Sequence, residues 1–265
     1  MIGEALAKLN LALVVGAARA DGMHEVLTVL QRLDLADSIA VEPAASTTVE
    51  GFPGDTLVTA ALEALAAPHG WRVTIDKRIP VAAGLGGGSS DAATALRLAN
   101  AQLERPLDDG RLHELAASIG ADVPFFLRSG PQLGSGTGTT LEPVAVPQDF
   151  AVCLLLPQDA AKASTGAVYE MFDARGGGTG FAGRAAALRG SLARLSVARE
   201  LAGLPPNDLV SSAHAATLIA EGAFRADVSG AGPVVYGLFE ERAEAGRAAA
   251  SLAALGRTWV AAPAW

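Results

Sequence analysis

Cysteine is nearly missing from this chain: there is one, Cys153, among 265 residues. A single thiol excludes an internal disulfide and fits a reducing compartment, so a cytoplasmic location is expected. Cys153 lies in the apolar run "FAVCLLL" and reads as a small buried hydrophobe rather than a catalytic thiol. Positive charge is also scarce. Lysine and arginine total 20 against 28 aspartates and glutamates, a net charge of -8. That balance argues against nucleic acid as a partner, which would call for a basic face. An acidic protein that handles phosphates must concentrate positive potential locally, through backbone amides or a few lysines. No apolar run is long enough to span a membrane. The opening "KLNLALVVGAARA" has a short apolar run and Ala18-Arg19-Ala20, but Glu4 offsets the one preceding positive charge and Asn10 interrupts the run. It reads as a buried first strand, not a signal peptide. The other histidines, His69, His113 and His214, form no metal-ligand spacing with His24, so no protein-held metal site is expected.

What is present is apolar bulk and glycine. Half of the residues are hydrophobic, enough for one large domain or two ordinary ones. Strands are expected at 9–15 and 36–42, a helix at 56–67, and a half-buried strand at 71–79, where Trp71, Val73 and Ile75 alternate with Arg72, Thr74 and Asp76. A helix follows from about Ser90 to Asn100 with Ala92, Leu96 and Ala99 as its buried stripe, and either serine at its start can cap it. Asp108 or Asp109 caps the next helix and Gly120 ends it. Asp122 then stands just past that helix end, before Pro124. "LGSGTGTTLEP", 133 to 143, reads as a second glycine turn. The pattern resets near Pro147 to Phe150, which divides the chain into 1–148 and 149–265. The second part reads as a strand at 150–156, helices at 164–174, 182–201 and 207–221, a flexible loop at 174–180, a strand at 234–239, a helix at 241–254 and a strand at 257–262. Irregular alternation of strands and helices points to an α+β fold.

The segment with most chemical content is "IPVAAGLGGGSSDAATAL", 79 to 96. Gly84, Gly86, Gly87 and Gly88 leave the backbone almost bare, at a cost in conformational entropy. A P-loop would end in Gly-Lys-Ser/Thr, and no lysine stands here. A Rossmann turn needs G-x-G-x-x-G, and the sixth position from Gly84 is Ser89. The remaining functional reading is an anion nest: successive amides, the positive end of the next helix, and the hydroxyls of Ser89 and Ser90. The competing reading is a glycine turn for close packing. Asp91, one step further, suits a helix start but opposes a phosphate.

"PVAAGLGGGSSDAA" closely resembles the phosphate loop of the GHMP kinases. "AKLNLAL", "RADGMHEVLTVLQRLDLAD", "GADVPFFL" and "DVSGAGPVVYGLF" resemble, in order, further segments of the branch of that superfamily that phosphorylates 4-diphosphocytidyl-2-C-methylerythritol. The resemblance implies a two-domain GHMP kinase fold with its active site in the cleft between the domains. It implies an ATP-dependent enzyme of isoprenoid precursor synthesis, with Mg²⁺ arriving on ATP and touching a serine at most. The phosphate loop would comprise Pro80, Ala82, Ala83, Gly84, Leu85, Gly86, Gly87, Gly88, Ser89 and Ser90. Asp122 would be the base that deprotonates the alcohol, with Lys8 beside it; from the residues alone, a turn aspartate and a strand-end lysine are the simpler readings. Asn10, on the same strand face as Lys8, would share in substrate binding. His24 would read the edge of the cytosine. Met23 stands where the family usually has an aromatic, and Tyr169, with Thr165 nearby, would supply aromatic contact. Thr56 stands near the adenine pocket where asparagine is common. The partners expected are ATP and a cytidine-diphosphate-linked polyol, with the protein a monomer or homodimer. Another small-molecule kinase of the superfamily (for homoserine, mevalonate or a sugar) and a non-catalytic nucleotide-binding protein are the alternatives.

Overall fold

A computed structural model describes residues 1–52, 55–160 and 164–265. In chain order the elements are β1 (Ile2–Ala18), β2 (His24–Ala44), β3 (Thr48–Glu50), α1 (Leu57–Ala64), β4 (Gly70–Asp76), α2 (Gly87–Asn100), α3 (Asp109–Ile119), β5 (Gln132–Gly136), β6 (Thr140–Pro143) and β7 (Ala151–Pro157). They continue with α4 (Thr165–Ala174), α5 (Phe181–Leu192), α6 (Ala213–Ala220), β8 (Arg225–Val228), β9 (Val235–Phe239), α7 (Arg242–Ser251), β10 (Gly256–Ala261) and β11 (Pro263–Ala264). Short 3-10 helices lie at Val123–Leu127, Ala198–Gly203 and Leu252–Ala254. Strands and helices mix as an α+β fold requires.

These elements form two compact units, neither of them continuous in sequence. The first comprises Met1–Ala7, Leu35–Val81 and Gly86–Ser129; the second comprises Lys8–Asp34, Ala82–Leu85 and Gly130–Trp265. In the first, the later half of β2 pairs antiparallel with β4, from Ser38 opposite Asp76 to Ala44 opposite Gly70, and β3 runs parallel to β4. Its helical part is α1, α2, α3 and the 3-10 turn 123–127. In the second, the earlier half of β2 pairs with β5, Val26 opposite Gly136 and Leu30 opposite Gln132, and β5 pairs with β6. A further antiparallel sheet there has the order β10-β7-β9-β8, with α6 and α7 supplying Leu218, Ala245, Ala248 and Ala249 to its core.

The strands expected at 9–15 and 36–42 are parts of strands of 17 and 21 residues. Only the apolar stretches announce themselves; ladder pairing carries each strand on through polar ends. β4 stops at Asp76 rather than continuing to 79, because the Asp37 carboxylate takes the amides of Arg78 (2.6 Å) and Ile79 (2.8 Å) that a strand would spend on its neighbour. α1 ends at Ala64, short of 67, and Ala66 follows in the left-handed region at φ 51°. The helix expected at 182–201 is two pieces: Glu200 caps a new start by accepting from the amides of Ser196 (2.7 Å) and Val197 (3.3 Å). The helix expected at 207–221 is reduced to α6, because Asn207 and Asp208 extend instead toward β1, Asp208 donating its amide to the Leu13 carbonyl at 2.9 Å. The glycine turn 133–143 is the β5–β6 hairpin. Residues 174–180 are packed rather than loose. Arg184 donates to the carbonyls of Gly177 (2.9 Å), Thr179 and Val15 (2.9 Å) and pairs with Asp208 at 3.0 Å, and a Cβ on Gly178 would meet the Ala17 amide at 2.5 Å.

Candidate active site

The glycine segment starts a helix in an unusual way. α2 begins at Gly87, three residues before the expected start, with Gly86 as its N-cap at φ 71°. Neither serine caps it: Ser89 and Ser90 lie inside the first turn, and the N-cap, Gly86, has no side chain to accept from that turn's amides. A first turn left without a side-chain cap keeps amide donors and the positive end of the helix dipole for an external anion. Ser90 is buried, and its Oγ has no hydrogen-bond partner among the described residues. Pro80, Ala83 and Leu85 are buried, while Ala82 is exposed at φ 52°.

Within the second unit, Gly84 is fixed by close contact with the segment 229–234. It stands at φ 82°, and a Cβ there would lie 2.1 Å from the Ser229 carbonyl oxygen. Ser229 Oγ donates to the Gly84 carbonyl at 2.9 Å, and the Val234 amide donates to the Ala83 carbonyl at 3.1 Å. On the other side, the Lys8 amide donates to the Leu85 carbonyl at 2.9 Å. The Lys8 ammonium is 3% exposed as a residue and donates to Asn10 Oδ1 at 2.5 Å. Asn10 Nδ2 donates to Thr28 Oγ1 at 2.8 Å, and Thr28 donates to the Ala12 carbonyl at 2.8 Å, which orients the amide so that its oxygen faces Lys8. Two residues apart on a strand, Lys8 and Asn10 share a face as expected. A Cβ at Gly230 would come within 3.3 Å of both Lys8 Nζ and Asn10 Oδ1, so bare backbone at 230 keeps the space in front of this pair open. Thr28, Ser229 and Gly230 were missed by sequence reasoning. The signal available for the last two was the glycine motif "DVSGAG" itself.

His24 opens β2 in the same unit. Its side chain is 8% exposed, and its Nε2 lies 2.9 Å from Asp173 Oδ1. Its ring centroid is 4.6 Å from that of Tyr169 and 6.1 Å from that of Phe172. The histidine and tyrosine rings thus lie against each other at a 37° tilt, and Asp173 is an additional member. Thr165 stands one turn before Tyr169 on α4, exposed. Met23 is also exposed, in the turn where the Arg19 amide donates to the Met23 carbonyl at 2.7 Å.

Asp122 belongs to the first unit. It is half-buried and is the N-cap residue of the 3-10 turn Val123–Leu127, with Pro124 next to its start. Thr56 is the N-cap of α1. Also in this unit, and unforeseen in the sequence, Lys77 donates to Asp37 Oδ2 at 2.6 Å and to Asp91 Oδ2 at 2.7 Å, and both carboxylates are fully buried. Asp91 therefore faces Lys77 and the interior. Burial pushes its carboxyl up to about 7, against the opposing pull of the Lys77 ammonium. Lys77 itself is lowered by burial but raised more by its two carboxylate hydrogen bonds, for a net upward shift. Cys153 is fully buried in β7, and burial raises its thiol to about 11, so it stays an unreactive core group. Among the described residues no group of three or more histidine, cysteine, aspartate or glutamate side chains could hold a metal ion, and no helix is long and apolar enough to cross a membrane.

Comparison with known proteins bears on this geometry. Residues 56–130 match the GHMP kinases N terminal domain and residues 187–258 the GHMP kinases C terminal domain. A 4-diphosphocytidyl-2-C-methyl-D-erythritol kinase from an Anaeromyxobacter species is 41% identical over 266 residues, covering 93% of this chain and 85% of that protein. The crystal structure of a 4-(cytidine 5'-diphospho)-2C-methyl-D-erythritol kinase superposes with a TM-score of 0.79 at 33% identity, covering 100% of both chains. The mevalonate kinase of Methanococcus jannaschii superposes equally well, TM-score 0.79 over 100% of this chain and 98% of that one, but at 12% identity. The backbone is thus common to kinases of different alcohols, and the side chains separate them.

Proposed function

Because the chain belongs to the 4-diphosphocytidyl-2-C-methyl-D-erythritol kinases of the GHMP kinase family, we propose that it transfers the γ-phosphoryl group of ATP to the 2-hydroxyl of 4-diphosphocytidyl-2-C-methylerythritol. The observation that carries this reading is the buried Lys8–Asn10 pair, set against the bare backbone of Gly84 and Gly230. The Lys8 ammonium is hydrogen-bonded to Asn10 in the interior, and the glycine-bordered space beside the pair suits an anionic or hydroxylic ligand. We divide the protein at 148/149, with the two family matches falling on either side.

In this reading Ala82–Ser90, which include the start of α2, hold the triphosphate through backbone amides, and Pro80, which has no amide N–H, fixes the chain where it enters the loop. Phosphoryl transfer then demands positioning and charge stabilisation. Lys8 and the helix start supply positive potential as charge shifts between the oxygens. Asp122 accepts the proton of the attacking hydroxyl. Asn10, held by Thr28, positions the polyol. His24, Tyr169, Thr165 and Met23 form the cytidine side, with the thioether packing on the ring in place of the usual aromatic. Ser90, whose hydroxyl has no hydrogen-bond partner among the described residues, would offer Mg²⁺ an oxygen donor of the kind it takes when it arrives on ATP. When bound, the ion neutralises charge on the phosphates. A cytoplasmic setting suits the lone reduced thiol.

An assay of ATP turnover with the cytidine-linked alcohol, homoserine and mevalonate in parallel tests the assignment. Phosphorylation of the cytidine-linked alcohol alone is expected. Turnover of homoserine or mevalonate with the cytidine-linked alcohol inert would move the chain to another branch of the family.

A further inference from the structure

Bare backbone at Gly230 keeps the space before Lys8 and Asn10 open, but a glycine at φ 58° does not hold its own turn in place. Asn207 holds it, from 23 positions away in sequence. Its Nδ2 donates to the Val228 carbonyl at 2.9 Å and to the Gly230 carbonyl at 2.6 Å, and its Oδ1 accepts from the Leu209 amide at 2.8 Å. A carbonyl can only accept and an amide N–H can only donate, so these partners fix which way the side chain faces. The Asn207 amide donates to Asp227 Oδ2 at 2.9 Å, and Asp227 Oδ1 accepts from the Val228 amide at 2.8 Å. Arg225 completes this frame. It reaches Asp227 Oδ2 at 3.3 Å and donates to the carbonyls of Leu204 (2.7 Å) and Pro205 (2.9 Å), just before Asn207 in the chain. Asn207 also bridges Leu13, three residues beyond Asn10 on β1, while the Asp208 amide donates to the Leu13 carbonyl at 2.9 Å. One buried residue thus ties the turn at 228–230 to the strand that carries Lys8 and Asn10. The same turn reaches the glycine loop through Ser229, whose Oγ donates to the Gly84 carbonyl at 2.9 Å.

We propose that Asn207 is a positioning residue for phosphoryl transfer: acting through Gly230, it holds the turn clear of Lys8 and Asn10, where the alcohol is received. Both Nδ2 hydrogens and the backbone amide are occupied within the protein, so Asn207 has no donor left for a ligand. Removing Nδ2 takes this donor from two carbonyls. The turn Ser229-Gly230-Ala231-Gly232 has little side-chain bulk to keep its shape and settles elsewhere. The alcohol then loses its register with Lys8, a displacement small in distance and large in rate. The ATP side is held separately, since the bonds from the Lys8 amide to Leu85 and from the Val234 amide to Ala83 do not involve Asn207. The inference rests on the reading of Lys8 and Asn10 as the alcohol's partners.

Steady-state kinetics of Asn207→Ala in the full chain with the cytidine-linked alcohol, beside calorimetry with a non-hydrolysable ATP analogue, decide it. The kcat/KM for the alcohol should fall by about tenfold to a hundredfold, the scale on which a misplacement of about an ångström costs rate. Affinity for the analogue should stay within about threefold of wild type. The loss should be at least about threefold smaller when Asn10 is already alanine, because a residue that works through that pair matters less once the pair is broken. Where Asn207→Ala fails to fold, Asn207→Ser, which keeps a hydroxyl for one of the two carbonyls, is read in the same way. Unchanged kcat/KM, whatever happens to the denaturation midpoint, makes Asn207 a structural residue only and overturns the proposal. A loss of equal size in the Asn10→Ala background overturns it too, as does a loss of analogue affinity as large as the loss in kcat/KM. Wild type that turns over no cytidine-linked alcohol would sink the functional reading and the inference with it; turnover by wild type with no effect at Asn207 sinks the inference alone.

Discussion

At the scale of single residues, roles divide between groups that touch ligands and groups that hold them. Asp122→Asn keeps the shape of the N-cap position and removes the carboxylate proposed as the base. Its kcat should fall by roughly 10²–10⁴, the range for a general base, with affinity for an ATP analogue almost unchanged. Steady-state kinetics with calorimetry check both, and near-normal turnover would take the base role from Asp122. Asp173 is a holder. Its carboxylate accepts from His24 Nε2 and so fixes the orientation of the ring. Asp173→Ala should raise KM for the cytidine-linked alcohol by about tenfold, the lower end for loss of an orienting partner, and leave KM for ATP alone. An unchanged KM would show that His24 needs no partner. Nothing in "DGMHE" announces Asp173, which lies 149 positions away in sequence. Lys8 and Asn10 were legible because strand periodicity puts them on one face. Asp91 was legible as a problem, a carboxylate at a phosphate loop; its solution, Lys77, requires knowing that strand β4 breaks at Asp76.

At the scale of elements, the glycine loop was readable as a loop, but its helix start was not. Propensity rules favour serine as a cap, yet Gly86 in the left-handed region lets the helix begin at Gly87 and places both serines inside it. Gly84 is held more tightly still. Gly84→Ala combines a left-handed residue, at about 1–2 kcal/mol, with a Cβ driven into the Ser229 carbonyl. The denaturation midpoint should drop clearly, and a wild-type midpoint would mean that the segments 83–85 and 229–234 separate readily. The cap of α3 followed the rules: Asp108 accepts from the Arg111 amide at 2.8 Å. Loss of that bond in Asp108→Ala should cost about 1 kcal/mol, as read from the same denaturation curves. Where helices were overextended, at 182–201 and 207–221, the composition is helical but Glu200 and the pair Asn207–Asp208 spend backbone donors elsewhere.

At the scale of the whole molecule, Asp91 leaves a mark on stability. A carboxyl held near 7 when folded, against an ordinary value of 3.8, binds more protons folded than unfolded between those limits. Its contribution therefore falls as pH rises from about 4 to about 7 and is level beyond. Denaturation of wild type and Asp91→Asn at pH 5 and pH 8 should show the larger drop in wild type; parallel drops would contradict the shift. Fold class and sheet-and-helix content were readable at this scale because patterning is local. The interleaving of the two units was not, because no local pattern says which late strand returns to an early one.

That interleaving sets an order on synthesis. Residues 8–34 are translated well before the segments they pair with: Leu13 waits for Asn207, the Asn10 and Leu11 carbonyls for Tyr236, and Leu33 for Pro263. β2 meets β5 roughly a hundred residues on, but the remaining contacts close only when the far later segments are made, so part of this apolar strand pair stays uncovered until then.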